Sequence, residues 1–391
     1  MRFSLNIGAV LLIVLFNMSS FRASKVLVSL FAIELGASQF IIGILIALYS
    51  LFPALLALYA GRLTDRFGVR LPMLLGSLGI ALSLLVPWLS ATMAALYASA
   101  ALIGVTHMMY NVAAQNLVGS VGGAEDRTRN FSNYALAMAM GSFIGPMAAG
   151  FGIDHYGHAH SYLLAAVLPL VPVIMLAFAR DVGGGRRVKS EEEQAVISTS
   201  LLRIPVLRRT LIAGAMAVTG QDLFQFYMPI YGHSVGLSAS AIGVVLAMFG
   251  IAAFAVRIWL PALVKRWSPD VVFSTSLYIA ALAFLMFPLF SSAATLSLVA
   301  LVIGIGIGCA QPVTLMLIYS RAPEGRSGEA LGMRMTINQF THIAVPILFG
   351  TLGSAFGVAP VFFANALIMV GGGVLSRRND PAQGKRPPPP G

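Results

Sequence analysis

Apolar runs of similar length, separated by short polar connections, fill nearly the whole chain. They predict helices over 6–31, 39–60, 71–89, 93–119, 130–152 and 161–179, then 209–232, 240–264, 270–290, 294–319, 329–354 and 358–376. A bilayer core of about 30 Å is crossed by roughly 20 apolar residues in a helix, and each run is close to that length. An even number of crossings puts both ends of the chain on one side. The polar stretch 180–208, with Gly183, Gly184, Gly185 and a run of acids at Glu191–Glu193, separates a bundle over 1–179 from one over 209–376 and reads as a flexible tether. Residues 377–391 end in Pro387–Pro390 and are expected to be a disordered, solvated tail. The first run lacks a small-residue cleavage site, so it is expected to stay as the first span. The pattern therefore predicts an all-α membrane protein with twelve transmembrane helices in two pseudo-symmetric six-helix bundles.

Composition agrees. Of 391 residues, 58% are hydrophobic and 10% charged, against roughly 25% charged in soluble domains, and mean hydropathy is +0.86. The net charge of +11 would suit nucleic acid if it formed one patch, but it is dispersed between the runs. Arg62, Arg66 and Arg70, Arg127 and Arg129, Lys265 and Arg266, Arg321 and Arg326, the tether and the tail all fall on one side. The opposite connections hold no Lys or Arg and carry Glu34, Asp154, His155, His158, His160 and His233. Lys/Arg bias marks the cytoplasmic side, so both termini are expected there, in a multi-pass protein of a bacterial inner membrane. The three histidines over 155–160 are expected on a solvated loop rather than around a metal. Cys309, the one cysteine, reads as a packing residue.

The two bundles repeat at an offset of 200. Gly36 recurs as Gly236, Ile42–Gly43 as Ile242–Gly243, Ala47 as Ala247, Arg66 as Arg266, Ile103–Gly104 as Ile303–Gly304, Pro146 as Pro346 and Gly150 as Gly350. Parallel halves related by an axis along the membrane normal are one of the architectures of secondary transporters, with the site between the halves near the midplane.

Two motifs sharpen this. Between spans 2 and 3 stands Gly61-Arg62-Leu63-Thr64-Asp65-Arg66-Phe67-Gly68-Val69-Arg70, which resembles the signature loop of the major facilitator superfamily, with Val69 in place of a basic residue. The resemblance implies a gating motif in which Gly61 and Gly68 allow a tight turn, Asp65 locks the cytoplasmic side by meeting the start of span 11, and Arg66 and Arg70 complete the loop. Span 5 carries Gly141, Gly145, Pro146 and Gly150, similar to a motif of antiporters and drug exporters in that superfamily; generic small-residue packing is the competing explanation. The Arg that drug–proton antiporters of the family usually place in span 4 is replaced by Ala100, which puts their usual coupling scheme in doubt.

Charges within spans are costly, about 2.5–3.5 kcal/mol on insertion scales, and so mark cavities and function. Arg22 and Lys25 lie three residues apart on span 1, hence on one face, and Asp222 is the counterpart of Arg22 in span 7, beside Gln221 and Gln225. The family resemblance implies that spans 1, 4, 7 and 10 line the central cavity. Two alternatives stand for this trio. Arg22 and Asp222 form a salt bridge between the halves, or Arg22 and Lys25 bind an anionic group while Asp222 is the proton-coupling residue. Arg257 and Arg334, nearer the span ends, are expected to snorkel. Further cavity candidates are His107, Asn111 and Gln115 at steps of four with Tyr110 beside them, Gln311, and Asn338 with His342. Phe224, Phe226, Tyr227 and Tyr231 offer an aromatic surface on span 7.

The chain has no enzyme signature, no phosphate-binding loop, no metal-ligand spacing and no implied cofactor. The expected function is a secondary transporter working by alternating access, proton-coupled, monomeric, and exporting a small organic anion or drug-like compound. The alternatives are a proton symporter importing a carboxylate nutrient, and a transport-dead sensor.

Overall fold

The computed structural model describes residues 7–120, 127–179, 199–323 and 326–378, with side chains except at 57–63, 65, 120, 127 and 128. Most of the tether (180–198), nearly all of the tail (379–391), and the side chains at Gly61 and Asp65 of the signature loop lie outside the described residues. The first half holds α1 (Ile7–Glu34), α2 (Gln39–Phe67), α3 (Arg70–Leu89), α4 (Met93–Ser120), α5 (Arg127–Val167) and α6 (Leu170–Phe178). A short 3-10 turn, Thr199–Arg203, leads into the second half. That half holds α7 (Pro205–Ser234), α8 (Ala239–Arg266), α9 (Pro269–Met286), α10 (Ala293–Arg321), α11 (Ser327–Phe356) and α12 (Val358–Arg377).

Among the described residues, nine helical stretches are long and apolar enough to cross a membrane. One of them, Arg129–Phe178, contains two crossings, because Gly157 at φ 74 and ψ 171 breaks its helical path. The more polar α7 and α11 complete twelve spans. The perimeter fits lipid: Leu55, Leu82, Ile258, Leu282 and Leu367 are all more than half exposed, a pattern that water would penalise and hydrocarbon does not.

The repeat is written into the backbone. Gly36 and Gly236 both have φ 78, and Gly157 and Gly357 have φ 74 and 83. Such left-handed conformations are accessible to glycine without a steric penalty. Each of the first pair ends a helix and hands over to a serine cap. The Ser38 hydroxyl accepts from the Ile41 amide at 3.4 Å, and that of Ser238 from the Ala241 amide at 3.2 Å. Capping satisfies one of the amides a helix start leaves unpaired.

Small residues then let the halves touch. A side chain on Gly43 would strike the Pro346 carbonyl, and one on Gly243 the Pro146 carbonyl. Gly150 faces Ala239 and Ser240, and Gly350 faces Gln39 and Phe40. The repeated residues are thus the α5–α8 and α2–α11 contacts, made reciprocally across the pseudo-axis. These contacts lie toward the end of the bundle that carries Glu34, Asp154, His158 and His233. There Asp154 accepts from the Ala239 and Ser240 amides at 3.0 and 2.8 Å. At the equivalent point, the Phe40 amide donates to Ser354 Oγ at 2.9 Å.

The segment expected to be a histidine loop is instead helical on both sides of Gly157. His158 packs against Phe31 at 5.5 Å between ring centroids and meets Glu34 at 2.5 Å. The turn at Gly157 needs only one residue, so nothing is left over to form a loop.

Asp154 bonds from one half to the exposed amides of a helix start in the other, where a negative charge is favoured by the helix dipole. Partial burial pushes the Asp154 pKa up, but donors from Ser240, Ala239 and Ser238 outweigh it and hold the carboxyl below the usual range. A depressed carboxyl contributes stability above its ordinary pKa and loses it only as pH falls through the lowered value. Closure at this end is therefore insensitive to pH near neutrality on account of Asp154. Asp154→Asn, which removes the charge from the helix start, is expected to weaken closure by about 0.5 kcal/mol, about twofold in the closed-to-open ratio. Spin-label distances between the ends of α5 and α8 would show it, and an unchanged distance distribution would refute the latch.

Candidate functional site

The centre of the chain's polarity lies where α1, α2, α7 and α11 converge. Gly141 meets Met18 and Ser19 of α1, and Gly145 packs on Ser19, Arg22 Cβ and Ala23. The span 5 glycines therefore bring α5 against α1 at the root of Arg22. From there Arg22 reaches across to the second half and donates to Gln225 Oε1 of α7, while its buried Nε has no partner. One turn on, the Lys25 ammonium sits over the rings of Phe21 and Tyr49, 5.2 and 5.5 Å from their centroids. Cation–π contacts of this kind hold a charge without neutralising it. Among the described residues Lys25 makes no ion pair.

Asp222 does not pair with Arg22. Its carboxylate meets His342 Nδ1 of α11 at 2.5 Å. The simple salt bridge between the halves, one of the two alternatives for the trio, is thus replaced by two contacts, Arg22–Gln225 between the halves and Asp222–His342 within the second. Lys25, Asp222, Gln225 and His342 border one cavity, with Phe226 and Pro346 in its wall. Its volume of about 20 Å³ has room for about one water, so a solute must widen it to enter.

The other candidates divide. His107 stacks on Phe21, with ring centroids 3.7 Å apart, and so supports the ring under Lys25 rather than the cavity itself. Asn111 ties α4 to α5, accepting from the Tyr134 hydroxyl at 2.6 Å and from Gln115 at 3.2 Å. Gln311 accepts from Arg334 of α11. Gln221 and Asn338 are half-buried but are not brought into the group. The aromatic surface expected on span 7 is core instead. Phe224 packs on Phe249 and Phe287, and Tyr231 on Phe287 and Phe362; only Phe226 borders the cavity. Of the two candidates that the sequence offered on span 11, Asn338 and His342, it is His342 that borders the cavity. Their spacing of four puts both on one face, and which of them lies level with Asp222 depends on how α11 is set against α7.

In the signature loop, Gly68 takes φ 74, and Arg66 is exposed, its guanidinium 5.2 Å from the Phe67 ring. Arg70 donates to the carbonyls of Leu176 and Ala177, both at 2.9 Å. It caps the end of α6 in its own half, where the carbonyl dipoles favour a cation.

The profile of the Major Facilitator Superfamily matches residues 10–346. "Multidrug efflux pump LfrA" of Mycolicibacterium smegmatis is 22% identical, over 80% of this chain and 73% of its own length. "Tetracycline resistance protein, class B" of Escherichia coli is 23% identical, over 79% and 78%. "Multidrug resistance protein 2" of Bacillus subtilis is 23% identical, over 87% and 88%. Among solved structures, the nucleoside transporter NupG superposes with a TM-score of 0.80 at 14% identity, covering 96% of this chain and 99% of that one. A bacterial homologue of the lysosomal transporter Spinster, in an inward-facing and occupied conformation, gives 0.79 at 12% identity, over 95% and 96%. At these identities the structural likeness speaks to fold.

Proposed function

The chain belongs to the Major Facilitator Superfamily, and from that premise we propose that this transporter exports a small organic anion or drug-like compound in exchange for protons. Its halves rock about the Arg22–Asp222 level. The observation that carries the reading is Lys25: an ammonium held over two aromatic rings, without a carboxylate partner, at a cavity it shares with Asp222 and His342. A buried charge left uncompensated is expensive. A solute carboxylate would compensate it, and Arg22 lies within one turn to share the load. Asp222 is the proton-coupling group on this reading: it shares one small volume with Lys25 and His342, so its proton and the solute act on the same few charges.

Export is supported by the relatives named as efflux and resistance proteins and by the span 5 glycines that set α5 against α1. On this reading the protein works as a monomer in a bacterial inner membrane with both termini in the cytoplasm, an orientation that the positive connections support. The two glycines of the signature loop and Asp65 are assigned to cytoplasmic gating by resemblance.

Inverted membrane vesicles with an imposed pH gradient test the reading. Aromatic carboxylates, their neutral amides and matching amines are offered in parallel. Accumulation of the carboxylates driven by an acid interior is the expected outcome. Uptake driven by protons moving with the solute would reverse the direction to symport, and transport of the amines alone would overturn the anion assignment.

A further inference from the structure

We propose that Arg257 and Arg334, converging on one turn of α10, form a second anion-binding site on the basic side of the central one, which takes the substrate carboxylate before Lys25 and Arg22 do. The inference rests on the organic-anion reading above and extends it.

Arg334 lies eight residues before His342 on α11, about 12 Å along the helix toward the end with the basic connections. It turns inward and donates to Gln311 Oε1 of α10. From the other flank, Arg257 of α8 directs Nε at the Gly308 carbonyl of the same α10 turn, at 3.4 Å. Snorkelling arginines run their heads out to water along lipid; each of these two donates to a residue of α10 instead. Arg257 also shares a face of α8 with Gly250, seven residues earlier, which touches Phe143 of the first half. Gly250 is half-buried at that contact and Arg257 is exposed, so its guanidinium is open to a ligand. Among the described residues neither arginine has a carboxylate within ion-pair distance.

The repeat supplies a control within the molecule. At the offset of 200, Arg334 and Gln311 correspond to Tyr134 and Asn111, and the Tyr134 hydroxyl donates to Asn111 at 2.6 Å. Arg257 corresponds to Ala57. The fold is thus satisfied by a neutral tie between these helices, and the charge in the second half is additional to what packing needs. Gln311 occupies one edge of the Arg334 guanidinium and leaves donors for a carboxylate, the planar partner that a guanidinium fits best.

Binding of 2-naphthoate to the purified full chain in nanodiscs, followed by its fluorescence and corrected for empty discs, tests the proposal. The neutral 2-naphthamide is the control, and thermal midpoints confirm folding. Wild type is expected to bind two naphthoates. Arg334→Gln should weaken one of them by about tenfold or more and Lys25→Gln the other, and Arg334→Lys should recover part of the loss. Arg334→Tyr, which copies the neutral tie of the first half, keeps the packing and should lose the same naphthoate as Arg334→Gln. A single naphthoate lost in Lys25→Gln and untouched in Arg334→Gln would overturn the second site and leave the central one standing. A single naphthoate lost in both would merge the two into one site and also overturn it. Equal binding of the amide, or no binding of naphthoate, would bring down the organic-anion reading together with the inference.

Discussion

Asp222→Asn is expected to abolish proton-driven transport while the protein still inserts and folds. Asparagine keeps the shape and can still hydrogen-bond His342, so packing among α7, α11 and α1 is preserved. What goes is the negative charge near Arg22 and Lys25, together with the site that exchanges it for a proton. A group that can no longer exchange a proton blocks the coupled cycle, and a hundredfold loss of rate corresponds to about 2.7 kcal/mol. Initial rates in vesicles should therefore fall by about 100-fold or more under a pH gradient. Counterflow of unlabelled for labelled substrate needs no net proton movement, and it should survive better than gradient-driven transport. Wild-type rates in both assays would remove Asp222 from the mechanism. Equal loss in both would make it a binding residue and leave the coupling group unassigned.

Breaking the ion pair beneath the second half is expected to have the largest effect on stability. Asp270, near the start of α9, is 3% exposed and accepts from Arg321 at the end of α10. Arg321 also donates to Thr210 of α7 at 2.6 Å, and the Ser376 hydroxyl of α12 donates to the Asp270 carbonyl at 3.3 Å. Asp270 and Arg321 together therefore link four helices at their basic ends. Asp270→Ala leaves Arg321 without that carboxylate among apolar helices, at a cost of about 3–5 kcal/mol. A drop of several degrees in the thermal midpoint of the detergent-solubilised protein is expected. The double variant Asp270→Leu with Arg321→Met should recover much of it, since replacing both partners of a buried pair by apolar groups is often close to neutral. A double variant no more stable than Asp270→Ala would show that the network, rather than the orphaned charge, dominates. Transport per folded molecule should be little changed, because this cluster is remote from the Lys25 cavity along the helices.

Much of this was legible in one dimension because a membrane imposes strong rules. Backbone groups in hydrocarbon must bond within their own segment, so length and hydropathy of each run sufficed to place the helices, most of them to within a few residues, although α2 runs on to Phe67 beyond the expected 60. The offset of 200 was visible in glycines and prolines, and these proved to be the residues that let the halves touch. Gly157 went unread as the partner of Gly357 because it sits among histidines that look like a loop. Its φ of 74 shows a tight turn between two crossings. The span 7 aromatics misled for a different reason. In a helix that is apolar nearly all round, periodicity cannot separate a cavity face from a packed one.

The sequence by itself determined the helical class, the division into repeated halves, the side bearing the basic connections and the presence of a few ionisable side chains at midspan, because each follows from local composition against a fixed solvent. Only the tertiary structure decided who meets whom. It sent Arg22 to Gln225, gave Asp222 to His342, left Lys25 over two rings, turned Arg70 onto the end of α6 and aimed Arg257 and Arg334 at α10. Those pairings depend on the rotation and axial shift of one helix against another. Both are set by the summed packing of many small residues, and no short stretch of chain encodes that sum.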